Sequence, residues 1–187
     1  MKIKNFILIK FIFIFIFLIN SNEAKTEDCD TTVSSSLTSQ LECTDDDTLN
    51  VTINGSVIKT GADTIHAKSH SDVTIDNKGT ISASTNQAIN MQHAVNTTVT
   101  NSGTIEATLR NAILMDGNNA DNNTINNSGT LKAGKKQVIL ATNSENTTII
   151  NSGSIETTNS SNPNTGGINY YNTSGSAIDG ATITNSG

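Results

Sequence analysis

The residues of this chain that could carry out catalysis are carboxylates and histidines, and their spacing argues against a shared site. Cleaving a carbohydrate needs two carboxylates on one face, or a carboxylate-bound metal with a basic residue nearby. His66 and His70 are four residues apart, as suits a helix, but the surrounding sequence favours strands, and His93 stands apart. The candidate aspartates lie at different offsets from a recurring glycine; they are Asp63, Asp72, Asp76, Asp116 and Asp121. We therefore expect no catalytic residues in this segment.

The two cysteines, Cys29 and Cys43, offer redox rather than metal chemistry. Their spacing is wrong for a compact zinc knuckle and no histidine lies between them, so we expect no metal and no cofactor. In an oxidising compartment they should form a disulfide, which would close a loop of about 15 residues and contribute roughly 3 kcal/mol. Calcium binding by the acidic residues between 42 and 47 is an alternative, although the spacing of an EF-hand loop is absent.

A repeat positions the histidines and the candidate aspartates. A β-branched residue, then Asn, any residue, Gly, Ser or Thr, and an aliphatic residue return along the chain, and Gly serves as the marker of each copy. The marker glycines are Gly55, Gly79, Gly103, Gly129, Gly153 and Gly187, with steps of 24, 24, 26, 24 and 34 residues. A period in this range is typical of a solenoid.

Apolar and polar residues alternate around each marker glycine, which predicts strands on both sides of it. The position four before Gly is β-branched and the position two after it is aliphatic, as in Ile75 and Ile81. A further strand is predicted ten to twelve residues after Gly, as at Ile89 and Met91. We therefore predict an all-β fold, a right-handed parallel β-helix (solenoid) with about 24 residues and three short strands per coil.

An Asn stands two residues before Gly in every copy except the first, where Ile53 takes its place. The column contains Asn77, Asn101, Asn127, Asn151 and Asn185. An inward Asn at a turn can hydrogen-bond to its counterparts in neighbouring coils, so we predict a structural Asn ladder. The glycines are expected to serve the same turn by permitting a positive φ.

The chain divides into three segments. Residues 1–24 read as a signal peptide that engages the secretion machinery, because Lys2 and Lys4 precede an apolar stretch at 6–19 and Ala24 offers a cleavage point. An uncleaved membrane anchor is the alternative. Residues 25–50 are predicted to form an N-terminal cap that carries the disulfide and covers the open end of the solenoid. Residues 51–187 carry the repeats, which we expect to be truncated at the C-terminus.

Composition and loop length limit the kinds of partner that this chain could bind. The formal net charge is −6 and no basic stripe exists, so nucleic acid is an unsuitable partner. Outside the predicted signal peptide the only aromatic residues are Tyr170 and Tyr171, which lie in the long 34-residue coil. Insertions into a solenoid form loops on one face, often the binding face. We predict that the two tyrosines form a contact surface, with packing on the coil below as the alternative.

The Asn-Ser-Gly units at 101–105, 127–131 and 151–155 resemble those of bacterial autotransporter passengers and related surface adhesins. The resemblance covers about residues 50–187. It implies an exported protein, at the cell surface, the outer membrane or outside the cell, that serves adhesion or surface display and contacts a surface receptor or glycan. Such proteins end in a membrane β-barrel, which we expect a longer reading frame to supply. A β-helical polysaccharide-active enzyme fragment and a secreted ice-binding β-helix, favoured by the outward Thr columns, are the alternatives.

Overall fold

The computed structural model describes residues 26–158, 165–173 and 179–187, so the predicted signal peptide, 1–24, lies outside the described residues. Within the described ranges the chain forms strands and no helix, and the strands belong to three parallel sheets. Each coil takes about 24 residues and contributes one strand to each sheet. The predicted fold class, an all-β solenoid with three short strands per coil, is confirmed.

Strand numbers follow the chain, and strands that pair within a sheet are one coil apart. The first sheet contains β1 (Thr26–Asp28), β4 (Gln40–Glu42), β7 (Ile65–His66), β10 (Ile89–Asn90), β13 (Ile113–Asp116), β16 (Ile139–Thr142) and β19 (Ile168–Tyr171). The second sheet contains β2 (Thr31–Val33), β5 (Thr48–Val51), β8 (Thr74–Asn77), β11 (Thr98–Asn101), β14 (Thr124–Asn127), β17 (Thr148–Asn151) and β20 (Thr182–Asn185). The third sheet contains β18 (Ser154–Thr157), β15 (Thr130–Ala133), β12 (Thr104–Ala107), β9 (Thr80–Ala83), β6 (Ser56–Lys59) and β3 (Ser36–Leu37).

Three columns of aliphatic side chains, one from each sheet, fill the interior. Parallel pairing sets each residue directly beside its equivalent in the next coil, and both members of each pair are fully buried. Examples are Ile75 with Val99, Ile81 with Ile105, and Ile89 with Ile113. Burial of each such side chain contributes about 1.5–3 kcal/mol. A core of thin stacked layers explains how the coils fold without large aromatic side chains.

Residues 26–37 form a short first coil whose strands join the same three sheets. Strand β1 pairs with β4, and the next residue after each strand is a cysteine. Cys29 and Cys43 form a disulfide between adjacent coils, with Cα atoms 4.6 Å apart and both side chains fully buried. The segment predicted as a cap is therefore built as part of the solenoid, and its protection of the open end stays a prediction.

The structure corrects the alignment of the first repeat. Val51, not Ile53, pairs with Asn77, and Leu49 pairs with Ile75. The turn at 52–55 is two residues longer than the turn at 78–79, and Ile53 projects from it with 80% of its surface exposed. The placement of Ile53 in the Asn column is therefore wrong, because an insertion in the turn shifts strand β5 by two residues relative to the marker glycine.

The five asparagines lie one above another where the second sheet meets the third. Each Nδ2 donates to the Oδ1 of the Asn in the next coil, at 2.7 Å for Asn77 to Asn101 and Asn101 to Asn127, and at 2.6 Å for Asn127 to Asn151 and Asn151 to Asn185. The same nitrogen also reaches backbone carbonyls; that of Asn127 contacts the oxygens of Gly129 and Ser154. A continuous chain of amides thus satisfies polar groups inside the turn.

The marker glycines do not adopt a positive φ, so the conformational reason expected for them is wrong. Among the described glycines a positive φ occurs at Gly61, Gly117 and Gly180, none of which is a marker. Close approach explains the markers instead, because each packs against the backbone of the coil below. A Cβ on Gly103 would lie 2.1 Å from the carbonyl oxygen of Gly79, and the contacts at the other markers are equally short.

We predict that Gly103→Ala destabilises the protein by about 2–4 kcal/mol, because two backbones must move apart to admit the methyl group. The measurement is the urea midpoint of unfolding. Gly166→Ala is the matched control, since a Cβ there meets nothing within 4 Å. It should be neutral or slightly stabilising. Equal midpoints for the two variants would contradict the close-approach explanation.

We predict that Asn127→Asp destabilises the protein by about 3 kcal/mol or more at neutral pH. The carboxylate cannot donate to Asn151 and instead faces three acceptor oxygens in a buried turn. Asn126→Asp, on the half-exposed outer side of the same strand, is the control and should change little. Urea midpoints equal to that of wild type for both variants would contradict the structural role of the Asn ladder.

Candidate functional site

The corner between the first and second sheets, which we call the loop corner, is built from left-handed residues. One column of them precedes the second sheet, with φ between 51° and 70°, and comprises Asp46, Asp72, Asn96, Asn122, Asn146 and Gly180. Asp, Asn and Gly are the residues that tolerate this conformation best. The sequence shows this column, because Asp, Asn or Gly stands seven residues before most marker glycines. The left-handed turn was instead expected at the marker glycines themselves.

The loop corner is enlarged in the coil that follows Gly103, which has 26 residues instead of 24. The two extra residues expose Asn118 and Asn119, the second of which has a φ of 72°. The His93 ring of the coil below packs under Gly117, whose Cβ position would lie 2.2 Å from it. His93 Nδ1 donates to the carbonyl oxygen of Asn118 at 3.0 Å, so the histidine supports the enlarged loop.

A polar groove of about 420 Å³ opens at the loop corner and spans three coils. We call it the corner groove. Its amide and hydroxyl side chains come from Asn118, Asn119, Asn143, Asn172 and Thr173, and its carboxylates from Asp121 and Glu145. Asn143 Oδ1 accepts hydrogen bonds from the backbone nitrogen and the hydroxyl of Thr173, at 2.8 and 2.9 Å, and ties the upper wall to the middle coil.

The carboxylates of the corner groove belong to a column that was not predicted from the sequence. The backbone of Asn122 donates to the carbonyl of Glu145 at 2.9 Å, and that of Asn146 donates to the carbonyl of Asp179 at 2.8 Å. These bonds stack Asp121, Glu145 and Asp179 in successive coils. The signal was available, since each stands eight residues before a marker glycine. Asp121 Oδ1 also accepts from the Glu145 backbone at 2.8 Å.

The other candidate aspartates lie on different elements, and each has a protein partner. Asp63 accepts from Asn90 Nδ2 at 2.8 Å, Asp72 from Asn96 Nδ2 at 3.1 Å, and Asp76 pairs with Lys78 Nζ at 2.6 Å. Asp116 accepts from the Thr142 hydroxyl. Of the five, only Asp121 lines the corner groove. The absence of catalysis from this segment stays a prediction.

Histidines and acidic residues meet at the N-terminal end of the solenoid. His66 Nδ1 lies 3.1 Å from the Glu42 carboxylate, and His70 Nδ1 lies 3.2 Å from that of Asp45. The pKa of Asp45 is lowered, first by the backbone hydrogen bond from Ser71 and then by His70. Within the described ranges no three His, Cys, Asp or Glu side chains come close enough to hold a metal ion.

The two tyrosines do not act as one surface. Tyr170 packs against the core and its hydroxyl donates to the carbonyl of Ser144. Burial raises the pKa of the Tyr170 phenol, and the charges of Asp121 and Glu145 raise it further, partly offset by a hydrogen bond with Thr147. Tyr171 is 44% exposed, and its carbonyl accepts from the backbone of Asn143 at 3.1 Å, beside the corner groove. Tyr170 thus packs on the coil below, and a contact surface at Tyr171 stays a prediction.

Searches against protein-family models, curated proteins and solved structures each find no match. The resemblance to autotransporter passengers accordingly stays a prediction. No helix suited by length and apolar character to crossing a membrane occurs among the residues that the structure describes.

We predict that the Tyr170 phenol ionises at higher pH in the folded protein than in urea. Tyr171→Phe leaves Tyr170 as the one tyrosine of the chain, so ultraviolet absorbance of tyrosinate reports it alone. The folded state holds its proton longer than the unfolded state, so the free energy of unfolding should fall as pH rises through about 10. Tyr170→Phe should remove that pH dependence. Coincident titrations of folded and unfolded protein would contradict the buried position of the phenol.

Proposed function

We propose that this protein is an exported bacterial surface protein of the autotransporter passenger type, whose β-helix is a stalk that displays the loop corner for adhesion. One observation carries the proposal: the inward positions repeat from coil to coil, whereas the loop corner changes in length and composition. In a solenoid the repeated interior sets the shape and the inserted loops meet partners. The corner groove lies where the loop corner departs from the repeat, at the two-residue enlargement near Asn118.

Export is supported by the cysteines and by the N-terminal sequence. The disulfide between Cys29 and Cys43 is consistent with folding in an oxidising compartment, since such bonds are rare where glutathione and thioredoxin keep thiols reduced. Charged residues before a short apolar stretch at 6–19 are the features of a secretory signal peptide. Together they support a path out of the cytoplasm.

Ice binding is the second candidate, and a hydroxyl column favours it. In-register pairing stacks six threonines on the outer side of the second sheet, namely Thr48, Thr74, Thr98, Thr124, Thr148 and Thr182. The column two residues along the same strands interrupts the pattern with Asp76, Asn126 and Ile150. The array of threonine hydroxyls is therefore only one residue wide and does not form a regular Thr-x-Thr face. This favours the display function over ice binding.

The proposal is tested by expressing the full chain and a variant lacking residues 2–24 in a bacterial host. Cysteines are alkylated after denaturation, because both are buried in the folded protein, and the cytoplasm is separated from the periplasm and the medium. We expect the full chain outside the cytoplasm with its disulfide formed, and the shortened variant in the cytoplasm with two free thiols. Beads coated with the oxidised protein should adhere to host-cell or polysaccharide surfaces. A full chain that stays inside the cell with reduced thiols would overturn the proposal.

A further inference from the structure

We propose that the corner groove binds a neutral or amino-bearing saccharide, whose ring packs on Tyr171 while its hydroxyls bond to the surrounding amides and carboxylates. The inference rests on the proposed display function and names the partner class of the same surface. Three features lead to it: the donors and acceptors that the groove offers, its charge, and an exposed tyrosine that directly precedes the lining residue Asn172.

The hydrogen-bonding groups suit a polyhydroxylated ligand. A sugar hydroxyl both donates and accepts, and a primary amide supplies both functions on one side chain. Asn118 and Asn119 are exposed, and their amides make no hydrogen bond to another residue within the described ranges. The volume of about 420 Å³ falls within the range of small-molecule sites. The groove can therefore accept a ring with several hydroxyls without first breaking bonds of its own at these two amides.

The charge selects among saccharides. Asp121 and Glu145 line the groove, and Asp179 follows them in the next coil. Three carboxylates in successive coils repel sulfated and sialylated sugars and attract an ammonium group. Within the described residues no three His, Cys, Asp or Glu side chains come close together, so no metal-binding cluster of these residue types accompanies the carboxylates. The groove thus favours neutral or amino-bearing rings bound directly by protein groups.

Tyr171 supplies the apolar contact. One face of a pyranose ring carries mainly C–H groups, and burying that face against an aromatic ring is favourable, with the phenol hydroxyl left in water. Tyr171 is the exposed aromatic residue next to Asn172 and Thr173, which line the groove. Its backbone is fixed by the hydrogen bond from Asn143. Tyr171 is not itself a lining residue of the groove, but its backbone is bonded to Asn143 and followed by Asn172, which both line it. A saccharide bound in the groove would therefore extend toward the Tyr171 ring.

The experiment measures binding of the folded, oxidised chain to an immobilised panel of neutral, amino-bearing, sialylated and sulfated oligosaccharides. We expect binding to at least one neutral or amino-bearing member. Tyr171→Ala and Asn119→Ala should each weaken it about tenfold or more, and Tyr171→Phe should retain it. Ile150→Ala is the matched control, because Ile150 is also 44% exposed but lies on the second sheet. Glu145→Gln should raise binding to sialylated and sulfated members relative to wild type.

Three results would overturn the inference: no binding to any member of the panel, equal binding by Tyr171→Ala and Asn119→Ala to that of wild type, or a wild-type preference for acidic sugars. Loss of binding on adding a chelator would also overturn it, since direct recognition needs no cation. The outcome is separable from that of the display function. Adhesion by the exported chain without any groove effect rejects the saccharide site alone, whereas saccharide binding by a chain that is never exported rejects display alone.

Discussion

The rest of this structure depends on one distance, the spacing of about 4.8 Å at which hydrogen-bonded parallel strands must lie. Every coil meets the next at that distance over all three sheets, so the turn positions where two backbones come closest have no room for a side chain. The marker glycines show the limit most clearly, because the carbonyl of Gly79 occupies the space that a side chain on Gly103 would need. The same spacing lets one amide nitrogen reach the next coil's amide oxygen, which is why an Asn column can form at all.

The fold could be predicted because this spacing requires the same residue types at the same place in every coil, so they recur in the sequence at a fixed period. Isoleucines, asparagines and glycines each recur at the same offset, and the strands follow from their alternation. The site could be predicted only in part, because the loop corner obeys a local conformational rule and varies in length. Asp121 and Glu145 share an offset of eight residues before a marker glycine. However, Ser71 and Val95 hold that position in earlier coils, so acidic residues do not form a column along the whole repeat. The slip at Val51 was hidden because an insertion in a turn moves a strand without breaking the period of the glycines.

Constrained and variable positions are divided between the inner and outer sides of the solenoid wall. Inward positions are fixed by burial and stacking, whereas the loop corner faces solvent and its side chains need satisfy only local turns. Left-handed Asn and Asp residues make that corner tight enough to return the chain to the second sheet. Between them the loop can lengthen, as it does at Asn119, at a cost in loop closure that grows slowly with length. The length and side chains of such a loop can vary while the sheets beneath keep their register. This explains how a regular solenoid can carry a groove at one corner.

The Asn ladder also gives the solenoid a direction. Each amide nitrogen before Asn185 donates to the amide oxygen of the next coil, so every amide oxygen of the ladder has a donor except the first. Asn77 Oδ1 is buried without a hydrogen-bond partner within the described residues, because Val51 stands below it and has no donor. An unpaired buried oxygen costs about 1–3 kcal/mol. An Asn at position 51 would donate to Asn77, but its own Oδ1 would then be unpaired, because Val33 lies beneath Val51 and has no donor. A ladder of any length therefore carries one unpaired oxygen at its start, and each added coil gains a full set of amide bonds at no further cost of this kind.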